Sequence, residues 1–245
     1  MKRILISGAS RGIGRAIAIE CASRDFDEVI VHYHEHKTDA EAVCKKIESL
    51  GKKAYMISAN FAHPDGIDFL TDSIKQYGEL HAFVHAAALN VFKPLSTVRP
   101  NQWDMCLQIS TGSFIQIANA VYPLMKKGAS IVALSSLGSS RAIPNYGPMG
   151  PLKAALEGAI RQLAFEFAAA GIRVNAVAPG FVRTSSIQKF PNAEALIALA
   201  SEHTPLEQRI AEPEEIAPIA AFLLSNDARW ITGQILTADG GFSLL

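Results

Sequence analysis

The residues Ser7-Gly8-Ala9-Ser10-Arg11-Gly12-Ile13-Gly14 follow a short apolar run and precede a stretch of helical periodicity. The chemistry this placement offers is phosphate binding. Glycine at 8 permits a tight exit from a strand, and glycines at 12 and 14 let backbone and helix N-terminus approach a pyrophosphate whose charge the helix dipole favours. The expected ligand is a dinucleotide. Its kind is decided at the end of the second strand, where an acid would accept hydrogen bonds from a free ribose 2′-hydroxyl and repel a 2′-phosphate. That strand ends Val31-His32-Tyr33-His34, followed by Glu35, His36 and Lys37, and Arg11 supplies a guanidinium suited to a phosphate. NADP(H) is the expected cofactor, and the nearby Glu35 keeps NAD(H) as the alternative. The alternation His32, His34, His36 invites a metal reading. The simpler account puts His32 in the sheet and the other two toward solvent or nucleotide, so no metal is assigned.

The glycine spacing, three residues and then one, resembles that of the short-chain dehydrogenase/reductase family, and the resemblance extends over nearly the whole chain. Further marks are Asn60-Phe61 after strand three, His85-Ala86-Ala87-Ala88 after strand four, Ser135-Ser136 ending strand five, and Pro179-Gly180 with Val182 and Thr184 after strand six. The resemblance implies that these contact, in turn, the adenine, the ribose and core of the dinucleotide, the substrate, and the nicotinamide carboxamide. Ala88 departs from the family's usual glycine. The implied cofactor set is Gly8, Ser10, Arg11, Gly12, Ile13, Gly14, Asn60, Phe61, Ala87, Lys153, Pro179, Gly180, Val182 and Thr184.

The family's acid is a tyrosine four positions before a lysine. Here the lysine is Lys153, position 149 is methionine, and the nearest tyrosine is Tyr146, seven positions before the lysine. Ser136 fixes the register, because it stands thirteen residues before Met149, the family's usual serine-to-tyrosine distance. On a continuous helix a separation of seven returns to nearly the same face, roughly 4.5 Å further along the axis than a separation of four. A ketone receives hydride on the carbon that bears the oxygen needing a proton. An enoyl thioester receives it two carbons from that oxygen, so an outward-shifted acid suits conjugate reduction. Pro148 and Pro151 interrupt helical geometry, and a helix starting at Pro151 would leave Tyr146 on a loop.

This geometry, with Arg141-Ala-Ile-Pro-Asn-Tyr146 and Lys153-Ala-Ala-Leu-Glu157, resembles the enoyl-acyl-carrier-protein reductases of bacterial fatty acid synthesis. The N-terminal glycine loop, Phe190-Pro191-Asn192 and Thr204-Pro205 are similar to their NADPH-using branch. The resemblance implies that Tyr146 hydrogen-bonds the thioester carbonyl, Lys153 holds the nicotinamide ribose, and Ser136 lies near the acyl head. Ketone reductases of the family carry an asparagine in the helix after strand four, where this chain reads Leu107-Gln108-Ile109-Ser110-Thr111-Gly112. Either Gln108 or Ile109 takes that place. The alternatives to an enoyl-thioester reductase are a 3-oxoacyl or general carbonyl reductase and a non-catalytic NADP(H)-binding sensor or subunit.

Positioning these residues requires strands at Arg3-Ser7, Glu28-Tyr33, Lys53-Ala59, His81-Ala86, Ser130-Ser135, Ile172-Ala178 and Gln234-Ala238. Amphipathic stretches near 12-24, 38-50, 65-77, 101-127, 152-170 and 213-225 alternate with them. Such alternation predicts an α/β, Rossmann-like, doubly wound parallel sheet of about seven strands in a single domain, 1-245. The segment 181-213, punctuated by Pro191, Pro205 and Pro213 around a helix-like Ala193-His203, is expected to form a lid over the carboxyl ends of the strands.

Of 245 residues, 49% are hydrophobic and 19% charged, with 23 basic against 23 acidic, which excludes a disordered chain and a basic nucleic-acid binder. No apolar run reaches the roughly 20 residues of a membrane span, and the start does not read as a signal peptide, so a cytoplasmic protein without nucleic-acid or membrane partners is expected. Cys21, Cys44 and Cys106 form no even set and read as free thiols. An acidic carrier protein would need a basic patch, for which Lys126, Lys127, Arg183, Lys189 and Arg209 are the candidates. A homo-oligomer is expected, a tetramer by resemblance, with the helices at 101-127 and 152-170 and the apolar end Phe242-Ser243-Leu244-Leu245 as possible interfaces.

Overall fold

The computed structural model describes residues 1–244; Leu245, the last residue of the expected apolar end, lies outside them. Seven strands form one parallel sheet in the order β3-β2-β1-β4-β5-β6-β7. They are β1 (Arg3–Ser7), β2 (Glu28–Tyr33), β3 (Lys53–Ser58), β4 (Leu80–His85), β5 (Met125–Leu134), β6 (Arg173–Pro179) and β7 (Ile235–Ala238). Successive side chains on a strand point to opposite faces, and the buried strands are accordingly apolar on both. Ile4 and Ile6 of β1 pack toward α1 (Gly12–Ser23), α2 (Lys37–Ser49) and α8 (Pro213–Leu224). Leu5 packs toward α3 (Pro64–Lys75), α5 (Ser113–Val121) and α6 (Met149–Phe167).

Three boundaries differ from the sequence expectation. The helix expected over 101-127 is α4 (Pro100–Leu107), a wide π-type turn over Gln108–Gly112, α5, and a short 3-10 turn at Tyr122–Leu124. Pro123 closes the helical run, because a proline cannot extend it, and β5 starts two residues later at Met125. α6 begins at Met149 rather than at Pro151. Pro151 is still in the first turn, where its missing N–H has no intrahelical partner to lose. Tyr146 therefore sits on the connecting loop, three residues before the helix, as the expectation of a later helix start also required.

The segment 181-213 folds back on itself. Its two ends meet in a parallel bridge between Val182 and Ala211, with Arg183 N–H donating to the Ala211 carbonyl at 2.8 Å. Between them α7 (Ala193–Glu202) contributes to a small core of Ile187, Ala200 and Ile210, against which Phe181 and Phe190 pack. The insert thus carries its own apolar nucleus and lies over the carboxyl end of the sheet, as expected.

Candidate active site

A cavity of about 470 Å³ opens at the carboxyl ends of β1 and β4, where the strand order reverses. Its floor is the glycine loop. Gly8 has φ +66°, and a Cβ there would lie 2.8 Å from the Ala87 backbone, so the chain can leave β1 beside the exit from β4 only as glycine. Arg11 is extended, α1 starts at Gly12, and no acidic residue stands in its first turn. The unpaired N–H groups and positive dipole end of α1 therefore border the cavity without a competing carboxylate.

His32, in the middle of the sheet, braces this loop. Its Nδ1 accepts the Gly8 N–H at 3.1 Å, and its Nε2 donates to the Ala59 carbonyl at 3.1 Å. The ring also stacks on Phe61 with centroids 4.1 Å apart. This pattern requires a neutral imidazole, and burial, assisted by nearby His34, pushes the His32 pKa down to about 4 against a modest opposing effect of its bond to Ala59. With both ring nitrogens engaged inside the sheet, His32 belongs to the fold, while His34 is exposed and His36 is partly so. Tyr33 and His34 line the cavity where an acid would discriminate against a 2′-phosphate; Glu35 also lines it, its Oε1 3.7 Å from His34 Nδ1.

The expected cofactor and reacting residues line this one cavity: Gly8, Ser10, Arg11, Gly12, Ile13 and Gly14, Asn60 and Phe61, Ala87, Ser136, Tyr146 and Lys153, and Pro179, Gly180, Val182 and Thr184. Thr184, from the insert, approaches Gly12 so closely that a Cβ on that glycine would sit 3.5 Å from its methyl group. His85 is not at the wall. It is fully buried, its Nδ1 bonded to the Ser7 hydroxyl at 2.9 Å, and only Ala86, Ala87 and Ala88 of that run border the cavity.

At the reacting end, Lys153 is 6% exposed and its Nζ donates to the Leu134 carbonyl at 2.6 Å. Burial lowers its pKa to about 8, against the opposing field of Glu157. Tyr146 is held by backbone on three sides: its N–H donates to Ile143, its carbonyl accepts from Gly150 N–H at 3.0 Å, and Gly147 N–H reaches Lys93. Its ring lies directly on Gly138, where a Cβ would come within 2.5 Å of two ring carbons. Burial raises the phenol's pKa, and the Ser136 hydroxyl partly offsets the rise. Met149, at the family's tyrosine position, is fully buried and is absent from the cavity wall. Tyr146, Ser136 and Lys153 thus share one cavity although the phenol is on a loop.

The rest of the acyl end was not legible in the sequence. Phe92, from the loop after β4, stacks on Phe190 of the insert at 3.8 Å, and Tyr146 lies parallel to Phe190 at 6.0 Å with a 3° interplanar angle. Asn90 donates to Ser186, a second tie between the same two loops. Ile109, at the wide turn, lines the cavity, whereas the Gln108 side chain folds back over Gly112. The place of the ketone reductases' asparagine is therefore taken by an aliphatic side chain.

The five basic residues considered for a carrier protein do not form one face. Lys126 pairs with Glu79, Arg183 with Glu212, and Arg209 with Glu207 and Glu215. Lys126 and Lys127 border a different hollow, beside the amino ends of β1 and β4. Lys189 alone of the five borders the site cavity. The cysteines are free and buried, and burial raises the pKa of each, which makes them poor thiolate nucleophiles. Among the described residues no helix is long and apolar enough to cross a membrane.

Residues 8–243 match the family described as enoyl-(acyl carrier protein) reductase. The chain is 37% identical over 244 residues to the 1-cyclohexenylcarbonyl-CoA reductase of Streptomyces collinus, covering 98% of this chain and 86% of that one. It is 31% identical to the versicolorin reductase of Emericella nidulans, over 98% and 95% of the two chains. Among solved structures it resembles an angucycline C-6 ketoreductase with bound NADP (31% identity, TM-score 0.91, 100% and 96% covered). A short-chain dehydrogenase from Burkholderia cenocepacia in complex with NADP is similar to the same degree (30% identity, TM-score 0.91, 99% and 98% covered).

Proposed function

The chain belongs to the short-chain dehydrogenase/reductase family, and from that premise we propose that it is an NADP(H)-dependent reductase whose substrate is an α,β-unsaturated acyl thioester. The floor of the cavity fits the dinucleotide. Gly8 leaves room that a side chain would fill, the first turn of α1 faces it with unpaired N–H groups, and the Arg11 guanidinium and the His34 ring line it beside the end of β2, available to a 2′-phosphate. When bound, that cofactor supplies the hydride.

The observation that carries the substrate reading is the exchange of positions at the reacting end. The residue four before Lys153 is Met149, buried and off the cavity wall, and the phenol available in the cavity is Tyr146, displaced onto the preceding loop. Hydride addition to the β-carbon puts developing negative charge on the thioester oxygen, two carbons away. Tyr146 donates its hydrogen bond there, Ser136 orients the phenol, and the Lys153 ammonium favours the phenolate side of the proton transfer. Ile109 removes the polar side chain that a ketone-reducing relay would use at the wide turn. The name of the Streptomyces relative describes a CoA thioester whose carbonyl is attached to a ring alkene, the same functional group.

Carbonyl reduction is the second reading, supported by the ketoreductase neighbours and by the closeness of Ser136 to the Tyr146 phenol. The carrier is the remaining choice. The family description names acyl carrier protein, which supports that carrier and a place in fatty acid synthesis. The dispersed and internally paired basic residues offer no single face to an acidic carrier protein, and the name of the Streptomyces relative supports coenzyme A. NADPH oxidation measured with crotonyl-CoA, crotonyl-carrier protein and acetoacetyl-CoA tests all three. Turnover of the enoyl thioesters is expected, with the CoA form preferred; turnover of acetoacetyl-CoA alone refutes the double-bond chemistry, and NADPH binding without any turnover points to a sensor.

A further inference from the structure

Glu157 has no part in the chemistry above and does not line the cavity, yet it bonds a residue that does, Ser135. It stands four residues beyond Lys153 on α6, a spacing that places both on one helix face. Its Oε1 accepts a hydrogen bond from Ser135 Oγ at 2.5 Å. Ser135 is buried, its N–H is bonded to the Val177 carbonyl at 2.8 Å, and it immediately precedes Ser136. The carboxylate therefore holds the end of β5 from which Ser136 projects.

The groups around Lys153 make that carboxylate electrically distinctive. β5 contributes the neutral Leu134 carbonyl, and β4 contributes His85, whose pKa is pushed down to about 3 by burial and by the charge of Lys153 itself. The loop before α6 contributes the Tyr146 phenol, kept protonated by burial. Among the described residues Glu157 is the negative charge that acts on this buried lysine, from one helical turn away rather than as a direct ion pair, and Arg161 is the next charged residue along the same face of α6. A buried ammonium without such a partner favours its neutral form.

We propose that Glu157 is a positioning residue that holds Lys153 in its ammonium form and, through Ser135, fixes the strand end bearing Ser136. This rests on the reading that Tyr146, Ser136 and Lys153 are the reacting set, and it is independent of which bond is reduced. Glu157→Gln keeps an oxygen that can accept the Ser135 hydroxyl and removes only the charge. Ser135→Ala keeps the charge and removes only the hydrogen bond. Each variant is titrated with NADPH by fluorescence from about pH 6 to about pH 10, a range that brackets the lysine's ionisation, and kcat/KM is measured over the same range.

In the native protein both profiles fall off on the alkaline side as Lys153 loses its proton. In Glu157→Gln that limb moves down by about one pH unit, while values below the limb stay native. In Ser135→Ala the limb stays in place. Glu157→Ala gives the same displacement and serves where the glutamine variant does not fold, and Glu157→Asp brings the limb back. A Glu157→Gln profile that overlays the native one, or a limb that moves equally in Ser135→Ala, overturns the proposal. The NADPH titration needs no thioester, so absence of enoyl turnover with a displaced limb refutes the substrate reading alone.

Discussion

Two neutral imidazoles sealed into the sheet make this fold acid-sensitive well above the pH at which its carboxylates titrate. The His32 pKa stands at about 4 and that of His85 at about 3 in the folded chain, against 6.5 in the unfolded one, and in both cases burial is the main cause. The unfolded chain therefore binds more protons than the folded chain below about pH 6.5. Stability is fully present above that value and falls as pH descends toward the folded values. At pH 5 each histidine has cost about 2 kcal/mol, or about 4 kcal/mol together, a large fraction of an ordinary 5–15 kcal/mol. His81, more exposed, adds in the same direction by an amount that solvent screening keeps small. Asp27, Glu28 and Glu215 all have lowered pKa values, so their contributions are lost only nearer pH 4 and below. Urea denaturation at pH 7.5 and pH 5 reads the difference as a midpoint lower by roughly 1.5 M at the acid pH. His32→Gln and His85→Asn each remove about half of this pH dependence, whatever they do to stability at neutral pH. Protonation at Nδ1 in the folded chain takes from Gly8 its acceptor, so NADPH affinity falls only at lower pH, as the His32 value of about 4 is approached. Equal midpoints at the two pH values, or an undiminished pH dependence in the double variant, would refute the assignment of neutral buried imidazoles.

The remaining predictions concern the cavity. Tyr146→Phe lowers kcat by about 10²- to 10³-fold with NADPH affinity unchanged, as for loss of one donor to a developing oxyanion, measured by steady-state kinetics and fluorescence titration. Gly138→Ala keeps every reacting group in the chain but would put a methyl group 2.5 Å from two Tyr146 ring carbons, so the phenol must shift and turnover falls comparably while the circular dichroism spectrum stays native. Arg11→Ala weakens NADPH binding by about tenfold relative to NADH, the worth of one charge-assisted phosphate contact, and equal weakening of both cofactors would remove Arg11 from 2′-phosphate recognition.

What the sequence revealed, and what it hid, separates along physical lines. The alternation of short apolar runs with helical stretches placed all seven strands; the interior ones are near-continuously apolar because both faces are covered, and the edge strands β3 and β7, far less buried, were found by their place in the alternation. The glycine loop was legible since a close backbone approach excludes side chains, a constraint written directly in residue type. The break between α4 and α5 was not read in the sequence: Ser110, Thr111 and Gly112 are weak helix formers, but such a composition does not specify a wide π-type turn over a bend or a plain helix. Whether Gln108 or Ile109 faced the site depended on that turn. The stack of Phe92, Phe190 and Tyr146 joins three loops far apart in the chain, and no local pattern encodes such a meeting. His32 read as a strand residue, but its bond to the Gly8 amide is a tertiary fact.

Phe190 belongs to the 181–213 insert, whereas Tyr146 and Phe92 belong to the body of the domain. The ring that backs the phenol is thus supplied by a segment with its own small apolar nucleus, and a change inside that nucleus reaches the reacting end without altering any group that reacts.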